Sequence, residues 1–340
     1  MFEIQCKSSD QKISKRTISI PLRTSTRKLC FHYTIMIFKQ LNVYLQCILF
    51  CLLFIATCYV NKYVLSVLKF THPTIFQGWQ CFVGVIFIKL NMMTGNINLL
   101  WDGNKKFFLY WLPEFMLFVI SIYSGSKALA NISIPAYLAV LNSCALINHI
   151  SICVLHWNFK IYEAKDWIFH FVIGAAAVGV VYSDPMYEIE SYFWLYVHII
   201  SFSAIVVFIE FNKDIIEASK IELLYYNYIF SVIFFIPGSY LLGDIFEAAN
   251  FKHLYLYKFY MGCLASGILG TILNLLRISL QENSEFLVYN RLLPIAHIMA
   301  SFLSLLFFEF HTTAEHNIWI AAVQLVSLLG NFTKRKGNEE

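Results

Sequence analysis

Between residues 41 and 331 the apolar positions neither alternate, as in a half-buried strand, nor form a single narrow stripe, as on a surface helix. They fill ten windows almost completely: 41–60, 74–93, 107–126, 131–153, 168–182, 192–211, 224–242, 257–276, 287–308 and 315–331. Most are long enough for a helix to cross the hydrocarbon of a bilayer. In lipid every backbone polar group must be satisfied internally, which leaves helices or closed barrels, and unbroken runs without dyad alternation choose helices. The pattern predicts an all-α membrane protein of ten transmembrane helices. The fifth window is short for a span, which predicts tilt, local thinning or a misplaced end.

Ten helices divide as five plus five, with a first half over 41–182 and a second over 192–331. An odd number per half places the second inverted relative to the first, the two-repeat arrangement that supports alternating access in many transporters. The loops are too short to hold a soluble domain of ordinary size. Gly262, Ser266 and Gly270 recur every four residues, as do Ala175 and Gly179, and such stripes are read as packing devices that let helix backbones approach.

Composition agrees with lipid as the solvent. The chain is 59% hydrophobic, 17% aromatic and only 14% charged, with a mean hydropathy of +0.63. The positive charges then give an orientation, because cytosolic loops carry Lys and Arg in excess. With the N-terminus in the cytosol, eighteen of the 25 fall on that side, eight of them before Leu41, and five fall opposite: Lys62, Lys69, Lys127, Lys252 and Lys258. An even helix count then puts both termini in the cytosol. Residues 1–40 are basic and Ser/Thr-rich and read as a disordered cytosolic tail, Glu3 and Asp10 counting against a mitochondrial targeting peptide, and 332–340 form a second tail. Cys47, Cys51, Cys58, Cys81, Cys144, Cys153 and Cys263 lie in the windows without metal-ligand spacing and read as small apolar residues.

The candidate chemistry sits where the apolar runs are interrupted. A charge inside a bilayer is costly and marks a functional position by default. Asn61, Lys62, Lys127 and Arg291 are such interruptions. Lys62, Lys127 and Arg291 each lie near a span end, where a long side chain can also snorkel to the interface. Asn227 is a mid-span amide that needs either an interhelical partner or a ligand. His149, His198 and His297 fall within spans, but Glu114, Glu210 and Glu309 are read as lying near span ends, so the carboxylate of a proton-coupled carrier is missing and the histidines read as structural. Metalloprotease, nucleophile-elbow and phosphate-loop motifs are all absent, which argues against an enzyme and calls for no metal or cofactor. The sequons at Asn131 and Asn331 lie too near the membrane or on the cytosolic side.

The first span ends in Asn61-Lys62, which looks like the signature closing the first helix of nucleotide-sugar transporters in the drug/metabolite transporter superfamily. Ser126-Lys127-Ala128-Leu129, Ile134-Pro135-Ala136-Tyr137 and Asn142 follow in the order of a GDP-mannose-transporter pattern, as do Tyr225-Tyr226-Asn227-Tyr228, Leu276-Arg277-Ile278-Ser279 and Asn290-Arg291 before Leu293-Pro294-Ile295-Ala296. Asn61 to Phe70 and Phe76-Gln77-Gly78-Trp79-Gln80 resemble a small Golgi transmembrane subfamily. That resemblance implies antiport of UDP-N-acetylglucosamine against UMP. Leu141, Tyr228, Leu287 and Tyr289 depart from the GDP-mannose motifs, and losing the amide at Tyr228 removes capacity that a purine edge would need.

A nucleotide sugar asks for cations at its diphosphate, aromatic faces at its base and amides at its edges. Arg291 and Lys62 would hold phosphate, Tyr137 and Tyr226 would stack, and Asn142, Asn227 and Asn290 would read edges, with Asn61 and Lys127 completing the expected set. The expected partners are the lipid bilayer, the nucleotide sugar, the nucleoside monophosphate and a second copy in a homodimer, with no nucleic acid. Golgi residence is expected ahead of the endoplasmic reticulum. GDP-mannose or another nucleotide sugar, a carrier of phosphorylated organic anions, and a non-transporting membrane chaperone or scaffold are the alternatives.

Overall fold

The structure is a computed structural model that describes residues 43–93, 105–157, 163–212, 219–282, 286–308 and 312–333. Residues 1–40, expected to form the basic tail, and Glu309 lie outside the described residues, as does all but the first two residues of the expected C-terminal tail. Regular structure among the described residues is entirely helical. The helices are α1 (Val43–Lys62), α2 (Pro73–Met93), α3 (Lys105–Asn131), α4 (Ile134–Leu141), α5 (Cys144–Leu155), α6 (Ala164–Ser183), α7 (Ile189–Asn212), α8 (Lys220–Leu241), α9 (Asp244–Ala249), α10 (Tyr257–Glu282), α11 (Phe286–Phe307) and α12 (Ala314–Thr333).

Nine segments among the described residues are long and apolar enough to span a membrane, with α4 and α5 acting as one span over Ile134–Leu155. This is a multi-pass membrane protein. The segment expected as the tenth span is α12, a 20-residue helix that falls short because polar residues dilute it. Three of those polar residues, His316, Gln324 and Ser327, are buried in the bundle, and Gln324 Nε2 donates to Ser301 Oγ on α11 at 2.6 Å.

Several expected boundaries move, two of them with consequences for the site. The fifth span is not short, because α6 begins at Ala164, where Asp166 adds an acidic residue to a positively polarised first turn that a hydropathy reading discards. The third span does not stop at 126. Helix α3 continues to Asn131, so Lys127 is a helical residue, and Ser133 with Pro135 starts α4, Ser133 Oγ accepting from Ala136 N at 3.4 Å.

At its other end α1 runs into a π-turn, Tyr63–Val67, which Lys69 closes in the left-handed region at φ 56°. The principal packing partners are α3 with α7, α1 with α10, α2 with α8, α6 with α12, α2 with α10, α3 with α8, α5 with α7, α1 with α11, and α4 with α11. Small residues permit the closest of these approaches. A Cβ on Gly262 would meet Val64 Cγ2 at 2.9 Å and one on Gly179 would meet Trp319 at 2.5 Å, whereas Gly270, on the same stripe as Gly262, has nothing within 4 Å.

Candidate functional site

Lys62 is 3% exposed, and its ammonium donates to three backbone carbonyls, those of Leu129 at 2.9 Å, Ala130 at 3.2 Å and Ile132 at 2.8 Å. The last carbonyls of a helix lack intrahelical donors, and a cation among them also meets the negative end of the helix dipole. An ammonium has three protons, so all of its donors are engaged. In this conformation Lys62 joins the ends of α1 and α3 and holds the turn into α4, rather than standing ready for a phosphate or snorkelling to the interface.

Neighbouring Asn61 belongs to a polar cluster between α1, α2 and α10. Its Oδ1 accepts from Gln80 Nε2 at 3.2 Å and from Ser266 Oγ, and Gln80 also donates to Ser266. Gln77, one turn before Gln80, donates to Ser126 on α3.

A second group lies where the α4–α5 span breaks. Asn142 sits at that break, and its Oδ1 accepts from His297 Nδ1 on α11 at 2.9 Å. The amide nitrogen of Asn142 is buried without a hydrogen-bond partner, a donor available in the interior of the bundle. Tyr137, one turn earlier, is stacked on His198 at 6.1 Å, and His198 Nδ1 lies 2.8 Å from the Ser121 carbonyl. Histidines expected to be structural thus have interhelical partners at His198 and His297, while His149 bonds the Ala145 carbonyl of its own helix at 2.9 Å.

The third group overturns an expectation. Glu114 lies well inside α3, is 1% exposed, and accepts from Asn227 Nδ2 on α8 at 2.9 Å. Glu114 Oε2 and Asn227 Oδ1 are both buried without a partner. A carboxylate is therefore present inside the span, where the sequence placed it at an end. The helix continues two residues beyond the apolar window into Lys105-Lys106, so the window edge underestimates its depth. Tyr226 is buried one residue before Asn227, packed with Trp111, Phe115 and Leu223.

The expected cations do not converge. Gly262, near the start of α10, packs on Val64 beside Lys62, and Arg277, fifteen residues further along the same helix, lies about 22 Å away at a rise of ~1.5 Å per residue. Arg291, just across the short α10–α11 connection, belongs to the Arg277 end and is half-buried, as is Asn290. Lys127 lies at the Lys62 end. It lines a cavity of about 210 Å³ with Leu65, Thr71, Ser126, Glu190 and Trp194. Small-molecule sites span roughly 300–1,000 Å³, so this cavity is smaller than a complete site.

No family model matches the chain. A Xenopus laevis protein named UDP-N-acetylglucosamine transporter TMEM241 homolog is 32% identical over 288 residues, covering 85% of this chain and 96% of the frog protein. The mouse UDP-N-acetylglucosamine transporter TMEM241 is 36% identical over 234 residues, 68% of this chain and 77% of the mouse protein. GDP-mannose transporter 2 from Neosartorya fischeri is 34% identical over 98 residues, 29% of this chain and 28% of the fungal protein. The chain belongs to the nucleotide-sugar transporters of the drug/metabolite transporter superfamily.

It is a membrane transporter and not a catalytic enzyme. Among this transporter's motif positions, Asn142, Tyr137, Asn227 and Tyr226 are interior, Lys62 and Asn61 are held by the fold, and Lys127, Asn290 and Arg291 stand towards the two ends. Tyr228, the departure from the GDP-mannose motif, is buried and accepts from Asn274 Nδ2 at 3.1 Å. Glu114, Gln80 and His297 were not singled out as ligand-side residues. A signal for Gln80 existed in the amides repeated at 77 and 80 of an apolar run.

Proposed function

We propose that this transporter moves UDP-N-acetylglucosamine from the cytosol into the Golgi lumen in exchange for UMP. The observation that carries the cargo is the likeness, over 85% of this chain and 96% of the other, to a frog protein named as a UDP-N-acetylglucosamine transporter. The buried tyrosine at 228 adds support, since it occupies with a phenol the place of an amide expected to read guanine.

Two inverted five-helix halves, ten spans and cytosolic termini complete the proposal. Support comes from the packing partners, which exchange among themselves when each span is replaced by the one five further on. The pair α3–α7 becomes α10–α1, α2–α10 becomes α8–α3, and α5–α7 becomes α11–α1. The polar bridges follow the same rule. Gln80 lies seven residues after Pro73 and Asn227 seven after Lys220, while Ser266 lies nine after Tyr257 and Glu114 nine after Lys105. Alternating access by rocking of one half against the other needs such equivalence.

Within this reading Asn142, Asn227, Tyr137 and Tyr226 serve the nucleoside, and Arg291 with Asn290 receives the diphosphate from the cytosolic end. Lys127 meets the ligand on the lumenal side. Asn61 and Lys62 act by holding the first span in place.

Uptake of radiolabelled UDP- and GDP-sugars into liposomes containing the purified protein and preloaded with UMP or GMP tests it. Saturable UDP-N-acetylglucosamine uptake that requires internal UMP, and that falls roughly tenfold in Asn142→Ala, is the expected result. Preference for GDP-mannose with internal GMP would overturn the base assignment. Absence of any nucleotide-sugar uptake by folded protein would overturn the cargo class.

A further inference from the structure

Glu114 and Asn227 are 1% and 4% exposed, and one hydrogen bond joins them, from Asn227 Nδ2 to Glu114 Oε1 at 2.9 Å. That bond leaves two oxygens, Glu114 Oε2 and Asn227 Oδ1, both buried and both without a donor. Native interiors rarely leave such acceptors unsatisfied. No Lys, Arg or His forms an ion pair with Glu114 among the described residues. The surroundings are apolar and aromatic: Trp111 and Phe115 on α3, Leu223 and Tyr226 on α8, and Phe208 on α7.

The two unsatisfied oxygens share one deficit. A carboxylic acid and a carboxamide form a closed ring of two hydrogen bonds, N–H to carboxyl oxygen in one direction and carboxyl O–H to amide oxygen in the other. The first of these bonds is already in place, and a single proton on Oε2 supplies the second. A proton also requires no cavity. We infer that Glu114 and Asn227 form a proton-binding site in which Glu114 carries an exchangeable proton shared with the Asn227 amide oxygen. The step is a simple protonation: carboxylate plus a proton gives the carboxylic acid, with no other bond made or broken.

The titratable neighbours leave that proton on Glu114. Tyr225, Tyr226 and the buried Glu222 stand on α8. On α3, Tyr110 donates to Asn212 of α7, the element that also presents Phe208. From α2, Val85 and Phe87 pack near Phe118, and the π-turn and α4 meet α3 at its far end around Leu129. His198 of α7 meets α3 seven residues further along, at the Ser121 carbonyl, and none of the residues named here forms an ion pair with Glu114 among the described residues.

Exchange follows from where the pair sits, and this step rests on the alternating-access reading above. The pair joins α3 of the first half to α8 of the second, on the cytosolic side of the proposed topology. When the halves part, water reaches Oε2, the ring opens and the carboxylate is stable without its proton. The open form then binds one proton fewer than the closed form, so rising cytosolic pH favours opening and acid favours closure.

Glu114→Gln is the informative variant, because an amide at this position keeps both hydrogen bonds and cannot titrate. Infrared difference spectra of the full-length protein in lipid, recorded from about pH 6 to about pH 8, are expected to show a protonated-carboxyl band that fades as pH rises and is missing from Glu114→Gln. Asn227→Leu keeps the acid but removes its partner, so its band must shift rather than vanish. Over the same range UDP-N-acetylglucosamine exchange is expected to change roughly threefold or more in the native protein and to stay flat in Glu114→Gln. No band assignable to Glu114 at any pH, or a variant whose exchange follows the native profile throughout, overturns the proton site. The infrared arm uses no substrate, so it decides the proton site even if the cargo assignment fails.

Discussion

Lys62 illustrates how one side chain can carry an argument about function into an argument about folding. A buried charge without partners is costly, and the three carbonyls of Leu129, Ala130 and Ile132 offset that cost for Lys62 with charge-assisted bonds. Its removal leaves those carbonyls without the ammonium that satisfies them. Lys62→Ala is therefore expected to destabilise the protein by about 2–3 kcal/mol, read as a lowered unfolding temperature in detergent without any ligand. Lys62→Arg, with a planar fork in place of a compact ammonium, is not expected to restore it. A Lys62→Ala protein that unfolds like the native one but has lost affinity for nucleotide would return Lys62 to the ligand. Asn142 stands in contrast. One of its amide atoms is held by His297 and the other is left to donate, so its truncation is expected to affect uptake far more than stability.

At the scale of elements, nine of the ten apolar windows coincide with helices long and apolar enough to span a membrane, because insertion into lipid depends on the summed hydropathy of about twenty residues. Their ends were less legible. Helix α6 starts four residues before its window, since Asp166 and Lys165 belong to a polarised first turn that no hydropathy sum rewards. Glu114 was read as peripheral for the same reason in reverse: depth within α3 depends on how far the helix runs past the window, and the partner Asn227 lies 113 residues away in the chain. Long-range pairs of this kind leave no local signal. The polar bridges nevertheless make an element-level expectation. Gln80→Leu breaks the contact of α2 with α10 and α1, and should raise the reaction rate of a cysteine placed at Ser126, which lines the cavity beside Lys127, several-fold towards a membrane-impermeant thiol reagent. In the same cysteine-free background Asn227→Leu, acting on α3 and α8, should leave that rate unchanged. Equal acceleration by both would mean that the bridges do not act on separate sides.

For the whole molecule, the proposed inverted halves put α3–α7 and α10–α1 in equivalent positions with opposite orientation, and both pairs are among the principal packing partners. The proposed inverted halves place the α8–α10 connection, with Lys252, on the side opposite the α5–α6 connection, which leads into Lys165 at the start of α6. In this proposal the bias of Lys and Arg assigns the sides, because cytosolic segments retain positive charge. On the side proposed as lumenal, His72 at the start of α2 lies 3.9 Å from Asp244 and 3.7 Å from Glu247 on α9. An acceptor sequon carried on a flexible insert after Lys252 should therefore be glycosylated in cells, and the same insert at residue 160 should not. Epitopes added to either terminus should be reached by antibody once the plasma membrane alone is permeabilised, with the internal membranes intact. Glycosylation at both inserts would break the five-plus-five division, whereas glycosylation at residue 160 alone would invert the molecule and place the Glu114–Asn227 pair on the lumenal side.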